Sequence, residues 1–320
     1  MIDYSIFYKE ELPIDGLHNH SWDIFISAFN SSDRVNHVFD HITASKKFWL
    51  IQPDYQFNET ELPPSGEIIA PNSLSEAEFV KQVVAAIGIE NFQRANSVCI
   101  DITGFIKPYM MAFLWWLQDR KCSVFDVLYS EPDRYAKKEK TQFSGELISC
   151  VKQINGYAGQ HRSDTTNDYL LVGSGYDDNL ISHVAEDKAN TKKIQMFGFP
   201  SLRPDMYQEN ILRAHRASES VDSISLRNRD RVLLAPANDP FATATTISSF
   251  VERENRSKEI TNLYLSPLAT KPQALGFALY YLSECHERAV SMIYPFSETH
   301  SQETSKGISR IWKYTIEFED

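Results

Sequence analysis

Short apolar runs alternate along the chain with stretches of helical periodicity, and this alternation constrains the fold more strongly than any other feature. Strands that alternate with helices pair as parallel neighbours, and the helices then cover both faces of the sheet. The sequence therefore predicts an α/β, Rossmann-like fold with mainly parallel sheets. The predicted strands are Asp23 to Ala28, Phe48 to Gln52, Ser97 to Ile102, Val124 to Tyr129, Tyr169 to Gly173, Ile194 to Gly198, Val232 to Ala235, Asn262 to Leu265 and Val290 to Tyr294. The predicted helices are Glu76 to Ile87, Tyr109 to Gln118, Asn179 to Asp187, Asp205 to Ala217, Thr243 to Glu254 and Gln273 to Glu287.

The chain divides near its middle, where a loop rich in Pro, Gly, Ser and charge covers about residues 130 to 165. We expect one Rossmann-like half over residues 1–150 and a second over 151–320, although the two could also pack as one continuous domain. The final run, Arg310 to Phe318, alternates polar and apolar residues and predicts an antiparallel edge strand.

Duplicated βαβ units are the simplest explanation of a motif that occurs three times. In each copy an apolar run and a short turn lead to a basic residue followed by proline, at Lys107-Pro108, Arg203-Pro204 and Lys271-Pro272. Proline suits the first turn of a helix because the first helical amides have no acceptor within the helix. A helix N-terminus beside a Lys or Arg attracts anions, so the motif predicts binding of a phosphorylated ligand.

Polar loop residues complete the predicted ligand site. Asp177 and Asp239 lie in the short loops after predicted strands, where a carboxylate either caps the next helix or binds a ribose hydroxyl. Gly175 stands two residues before Asp177 and permits a close backbone approach. The full set of predicted ligand-binding residues is Thr103, Gly104, Lys107, Gly175, Asp177, Arg203, Asp239 and Lys271. The sequence identifies no catalytic residue and no cofactor.

The segment Asp101-Ile-Thr-Gly-Phe-Ile-Lys107 resembles the Thr-Gly-Gly-Thr-Lys loop of CRISPR-associated Rossmann-fold (CARF) domains. Thr103, Gly104 and Lys107 match that pattern, whereas Phe105 and Ile106 replace its second glycine and second threonine. The resemblance implies a cyclic oligoadenylate ligand and a sensor role in prokaryotic antiviral defence.

The N-terminal segment from Trp22 to Arg34 is similar to the first box of Toll/interleukin-receptor domains, in which a strand leads into a polar loop and a helix. Some members of that family cleave NAD, so this resemblance implies a nucleotide- or NAD-cleaving hydrolase as an alternative function. A third possibility is a non-catalytic scaffold subunit, in which the basic-Pro turns are structural only.

Histidines cluster near the N-terminus at His18, His20, His37 and His41. His37 and His41 are four residues apart, a spacing that suits zinc on one face of a helix, but they also belong to the polar stripe of an amphipathic helix. The sequence favours the amphipathic helix and predicts no metal site.

Composition limits the partners. A net charge of −11 argues against a broad nucleic-acid surface. No stretch of about 18 apolar residues occurs, which predicts a protein without a membrane span. The four cysteines are widely spaced and suggest reduced thiols and a cytoplasmic location. We expect a nucleotide-like small molecule as the ligand, with a homo-oligomer or a protein partner also possible.

Overall fold

A computed structural model describes residues 2–120, 122, 124–135, 148–175, 177–203, 206, 208, 211–212, 231–286, 288–297 and 305–318. The strands are β1 (Tyr8–Leu12), β2 (Ser21–Ala28), β3 (Thr43–Leu50), β4 (Glu67–Ile69), β5 (Val98–Asp101), β6 (Val124–Glu131), β7 (Arg134–Tyr135), β8 (Ile148–Gln153), β9 (Tyr169–Gly173), β10 (Lys192–Gly198), β11 (Val232–Ala235), β12 (Leu263–Pro267), β13 (Val290–Ser297), β14 (Ser305–Lys306) and β15 (Arg310–Glu317). The helices are α1 (Asp33–His41), α2 (Glu76–Ile87), α3 (Ile89–Arg94), α4 (Lys107–Asp119), α5 (Asp178–Asp187), α6 (Pro240–Ser257) and α7 (Lys271–Glu284). The helix predicted over Asp205 to Ala217 falls largely outside the described residues.

The chain forms two compact units, each built from two chain segments. We call them the N-unit, Phe7–Phe143 with Thr299–Asp320, and the C-unit, Ser144–Glu298 with Met1–Ile6. Each unit therefore takes a segment from the opposite end of the chain. The predicted division into residues 1–150 and 151–320 differs from this one at the two ends of the chain, where Met1–Ile6 belongs to the C-unit and Thr299–Asp320 to the N-unit.

The N-unit has a seven-stranded sheet in the order β1-β15-β6-β5-β2-β3-β4. The five neighbouring strands β4, β3, β2, β5 and β6 are parallel to one another. Strand β15 pairs antiparallel with both β6 and β1. The parallel part of the sheet begins at central β2, proceeds outward to β3 and β4, and then continues with β5 on the other side of β2. The predicted antiparallel pairing of the C-terminal strand is thus confirmed, but its predicted edge position is wrong, because β1 pairs with its other side and forms the edge.

The C-unit repeats this arrangement in a six-stranded sheet with the order β11-β10-β9-β12-β13-β8. Central β9 is followed by β10 and β11 on one side and by β12 and β13 on the other, all parallel. The antiparallel strand β8 borders β13, as β15 borders β6. The predicted α/β, Rossmann-like fold is confirmed, and the shared strand order is what a duplication produces.

Aromatic and aliphatic side chains fill the core of the N-unit between its sheet and α1. Phe25, Val38, Phe39 and Trp49 belong to one buried cluster there. The rings of Phe39 and Trp49 stack with their centroids 3.7 Å apart. This core fixes α1 against the sheet and so positions the residues at the start of that helix.

Helices α6 and α7 of the C-unit pack closely because Gly276 has no side chain. A Cβ at this position would lie 2.4 Å from the carbonyl oxygen of Pro240 and 2.6 Å from Cβ of Thr243. Thr243 is itself fully buried. The close approach of the two helices fixes the start of α7, where Lys271 lies.

Candidate functional site

The carboxyl ends of β2 and β5 are the natural place for a ligand in the N-unit. The strand order reverses between these neighbouring strands, and open α/β sheets bind ligands at such a switch point. The loop after β2 leads to α1, and the loop after β5 contains the predicted site residues Thr103 and Gly104 before α4.

Gly104 allows the two loops to touch. A Cβ at this position would lie 1.8 Å from the carbonyl oxygen of Ala28, so only glycine fits. The sequence predicted a close backbone approach here and assigned it to a ligand. In the structure the approach is to the last residue of β2.

Thr103 belongs to a buried hydrogen-bond network that joins β2, β5 and β6. Ser27 Oγ donates to Asp101 Oδ2 at 3.0 Å, and the Thr103 amide donates to Asp101 Oδ1 at 2.9 Å. The Ser130 amide donates to Thr103 Oγ1 at 2.9 Å. Thr103 is fully buried, so its hydroxyl oxygen holds the end of β6 in place.

A buried arginine side chain extends from α1, on one side of the switch point, to β6 on the other. Arg34 in the first turn of α1 is 6% exposed, and its Nη1 donates to the carbonyl oxygen of Ser130. Nearby, Tyr55 donates to the Gly104 carbonyl oxygen at 3.3 Å. Burial raises the pKa of Tyr55 to about 12, partly opposed by a hydrogen bond with Asn30 and by the Arg34 charge. The edge of the sheet therefore holds the Arg34 cation together with neutral polar groups and the buried carboxyl group of Asp101.

Three buried polar atoms at this edge have no hydrogen-bond partner in the part of the chain that the structure describes: Ser32 Oγ, Gln52 Nε2 and Ser130 Oγ. They follow or end three strands, β2, β3 and β6. The Gln52 side chain is fixed because its Oε1 accepts from the Ile106 amide at 3.0 Å. A buried polar group without a partner costs about 1–3 kcal/mol, so a polar ligand or ordered water is expected at these atoms.

Two of the three basic-Pro turns begin helices as predicted. Lys107 is the first residue of α4 and Lys271 the first residue of α7, each followed by proline, and both are half-buried. Both helices follow the fourth parallel strand of their unit. Arg203 is exposed and follows β10, the second strand, and Pro204 lies outside the described residues. Lys107 therefore belongs to the N-unit, and Arg203 and Lys271 belong to the C-unit.

The remaining predicted residues have structural roles in the C-unit. Asp177 caps α5 by accepting from the Leu180 amide at 3.3 Å, and Asp239 caps α6 by accepting from the amides of Phe241 and Ala242 at 3.0 and 2.9 Å. A Cβ on Gly175 would lie 2.3 Å from the Leu268 carbonyl oxygen, so this glycine repeats the role of Gly104. Whether any of these residues also contacts a ligand stays a prediction.

Sequence reasoning missed Arg34, Gln52 and Ser130. Gln52 and Ser130 offered a usable pattern, because each is a polar residue at the end of an apolar strand. Arg34 offered none, since an arginine in an amphipathic helix is usually exposed. Its burial depends on the packing of α1 against the sheet.

The histidines do not form a metal site in the described ranges, where no group of three or more metal-ligating side chains occurs. The rings of His37 and His41 stack with centroids 4.2 Å apart, and His41 Nδ1 lies 2.8 Å from the His37 carbonyl oxygen.

Ser291, His161 and Asn262 are linked by hydrogen bonds in the order of a nucleophile, a base and an orienting group. His161 Nε2 lies 2.8 Å from Ser291 Oγ, and its Nδ1 lies 3.1 Å from Asn262 Oδ1. Ser291 is fully buried, and its Oγ accepts from the Gly159 amide at 2.9 Å and from Gln153 Nε2 at 3.0 Å. Ser291 Oγ is already engaged by His161, Gly159 and Gln153, so we assign this group a structural role in joining the loops around it.

Comparison with protein-family models, curated proteins and solved structures finds no match for this chain. Across the described ranges, no helix has the length and apolar character needed to cross a bilayer.

Proposed function

We propose that the N-unit binds a phosphorylated, nucleotide-like ligand at the carboxyl edge of its sheet and acts as a non-catalytic sensor. The observation that carries the proposal is that Ser32 Oγ, Gln52 Nε2 and Ser130 Oγ have no partner among the described residues and lie at the same sheet edge as the buried cation Arg34. All three groups can donate a hydrogen bond.

Phosphate is the ligand chemistry that suits this set. Its oxygens only accept hydrogen bonds at neutral pH, and its charge is favourable beside Arg34 and Lys107. The chain as a whole carries a net charge of −11, so its overall field repels anions. Binding of a phosphate would therefore depend on the local charges at the site. The resemblance of Thr103, Gly104 and Lys107 to CARF domains supports cyclic oligoadenylates as the first ligands to test, and with them a role in antiviral defence.

The test is calorimetric titration of the full chain with ATP, NAD and cyclic oligoadenylates, alongside native mass spectrometry of the protein as purified. Lys107→Ala should weaken binding about tenfold or more, because a hydrogen bond to a charged group contributes about 1.5 kcal/mol or more. The unfolding temperature should not change. Lys81→Ala is the matched control, since Lys81 lies in α2 of the same unit and its side chain is 77% exposed.

Equal affinity in Lys107→Ala and Lys81→Ala would reject the proposal. Lys271→Ala, tested in parallel, reports whether the equivalent turn of the C-unit binds the ligand as well. Chromatography of each nucleotide after incubation separates a sensor from the alternative hydrolase, because only turnover yields product.

A further inference from the structure

Three polar side chains share one face of the C-unit sheet near its carboxyl end. Gln195 of β10 and Ser266 of β12 both pair in register with Val172 of central β9. Ser174 follows Val172 by two residues and so points to the same side. At a spacing of about 4.8 Å between strands, Gln195 and Ser266 lie about 10 Å apart across β9.

This face is the one opposite α7. A Cβ built on Gly173 would lie 3.1 Å from the Phe277 ring of α7, and one on Gly198 would lie 2.9 Å from Ala237 Cβ and 3.4 Å from Gln273 Oε1 of α7. Both glycines alternate with the polar residues along their strands and therefore point to the opposite face. On the polar side, Lys188 at the end of α5 lies over the Tyr264 ring, 4.6 Å from its centroid. The three side chains therefore lie on the face of the sheet opposite α7, the face on which α5 contacts β12.

All three side chains are buried and lack hydrogen-bond partners among the described residues. Their exposed fractions are 1% or less, and the unpartnered atoms are Ser174 Oγ, Ser266 Oγ and both Oε1 and Nε2 of Gln195. A carboxamide with neither end satisfied is a rare arrangement in a protein interior, because burial removes its bonds to water.

The equivalent row of the N-unit is satisfied, so the fold does not impose this arrangement. Ser27 is the penultimate residue of β2 as Val172 is of β9, and its register partners are Trp49 and Asp101. Ser27 donates to Asp101, and Trp49 Nε1 donates to the Ser65 carbonyl oxygen at 3.1 Å. At the equivalent positions the C-unit has Gln195 and Ser266, which do not form hydrogen bonds with each other.

We infer that the C-unit carries a second binding site, for an uncharged planar group with a donor beside an acceptor, such as the edge of adenine. A carboxamide pairs with such an edge through its own acceptor and donor. The two serine hydroxyls add one flexible donor or acceptor each. The row itself consists of uncharged side chains, and the nearest charged side chain on this face of β10, Lys193, is directed away to the Ala189 carbonyl oxygen at 2.8 Å.

Adenosine is the probe, because it has the base edge but no phosphate. We expect it to raise the unfolding temperature of the full chain and to bind measurably in calorimetry. Purine riboside, which lacks the 6-amino donor, should bind at least about tenfold more weakly. Adenosine that neither binds nor stabilises the protein would overturn the inference.

Gln195→Met tests the residue directly. Methionine has nearly the same shape without polar atoms, so the variant should unfold at the same or a higher temperature and lose adenosine binding at least about tenfold. A lower unfolding temperature with unchanged adenosine binding would instead show that Gln195 is satisfied internally, by water or protein. Ser266→Ala should weaken adenosine binding as well, and it serves if Gln195→Met fails to fold.

Two controls separate this site from other effects. Gln153→Met should leave adenosine binding intact, because Gln153 donates to Ser291 and lies outside the row. Lys107→Ala should also bind adenosine normally, since Lys107 belongs to the N-unit. The phosphate site and the base site can therefore fail independently.

Discussion

At the scale of single residues, Gly104 gives the sharpest prediction. Gly104→Ala should destabilise the N-unit by about 3 kcal/mol, because its Cβ would overlap the Ala28 carbonyl oxygen, a backbone atom with little room to move. Urea unfolding monitored by tryptophan fluorescence measures the loss. Gly16→Ala is the control, since its nearest contact would be Pro13 Cβ at 3.1 Å and the expected change is within about 1 kcal/mol. Equal stability of the two variants would contradict the role assigned to Gly104.

The residue scale is also where sequence reasoning reached its limit. The pattern around Thr103 and Gly104 correctly indicated a tight loop at the end of a strand. It could not say whether the loop touches a ligand or another loop, because both contacts favour the same small residues. Arg34 was missed for a related reason: its burial is a property of the packed core and leaves no local pattern.

At the scale of elements, the capping role of the aspartates that follow strands can be tested through the stability of the helices that they cap. Asp239→Ala should lower the free energy of unfolding by about 1 kcal/mol, because α6 loses the acceptor for the amides of Phe241 and Ala242. Asp239→Asn keeps that oxygen and should remain within a few tenths of the original stability. If Asp239→Asn loses as much as Asp239→Ala, the carboxylate charge has a role beyond capping.

The same scale shows what the sequence predicts well. Buried strands such as β5 and β9 are continuous apolar runs, so their positions were predicted closely. Exposed or short strands were not: β1 has only one buried residue, and β4 is three residues long with one. Such strands are defined by pairing with a neighbour, and no local pattern of side chains marks them.

At the scale of the whole molecule, the exchange of chain ends was beyond sequence reasoning. Strand alternation and the repeated motif predicted two related halves, and both units do have the same strand order. Assigning Met1–Ile6 to the C-unit and Thr299–Asp320 to the N-unit requires contacts far apart in sequence. These contacts make each unit dependent on a remote segment of the chain.

Tyr4 tests that dependence in the C-unit. It is 1% exposed and belongs to a short 3-10 helix, Tyr4–Ile6, that packs on α6. Burial raises the pKa of Tyr4, and the Glu284 charge adds to the shift. Tyr4→Ala should therefore destabilise the C-unit by about 3 kcal/mol, and Tyr4→Phe, which keeps the ring, by much less. Hydrogen exchange read by mass spectrometry locates the effect. Amides of α6 and α7 should exchange faster in Tyr4→Ala while those of β2 and β5 stay protected. A uniform loss of protection in both units would mean that the N-terminal segment does not belong to the C-unit alone, and no loss at all would mean that the C-unit is stable without it.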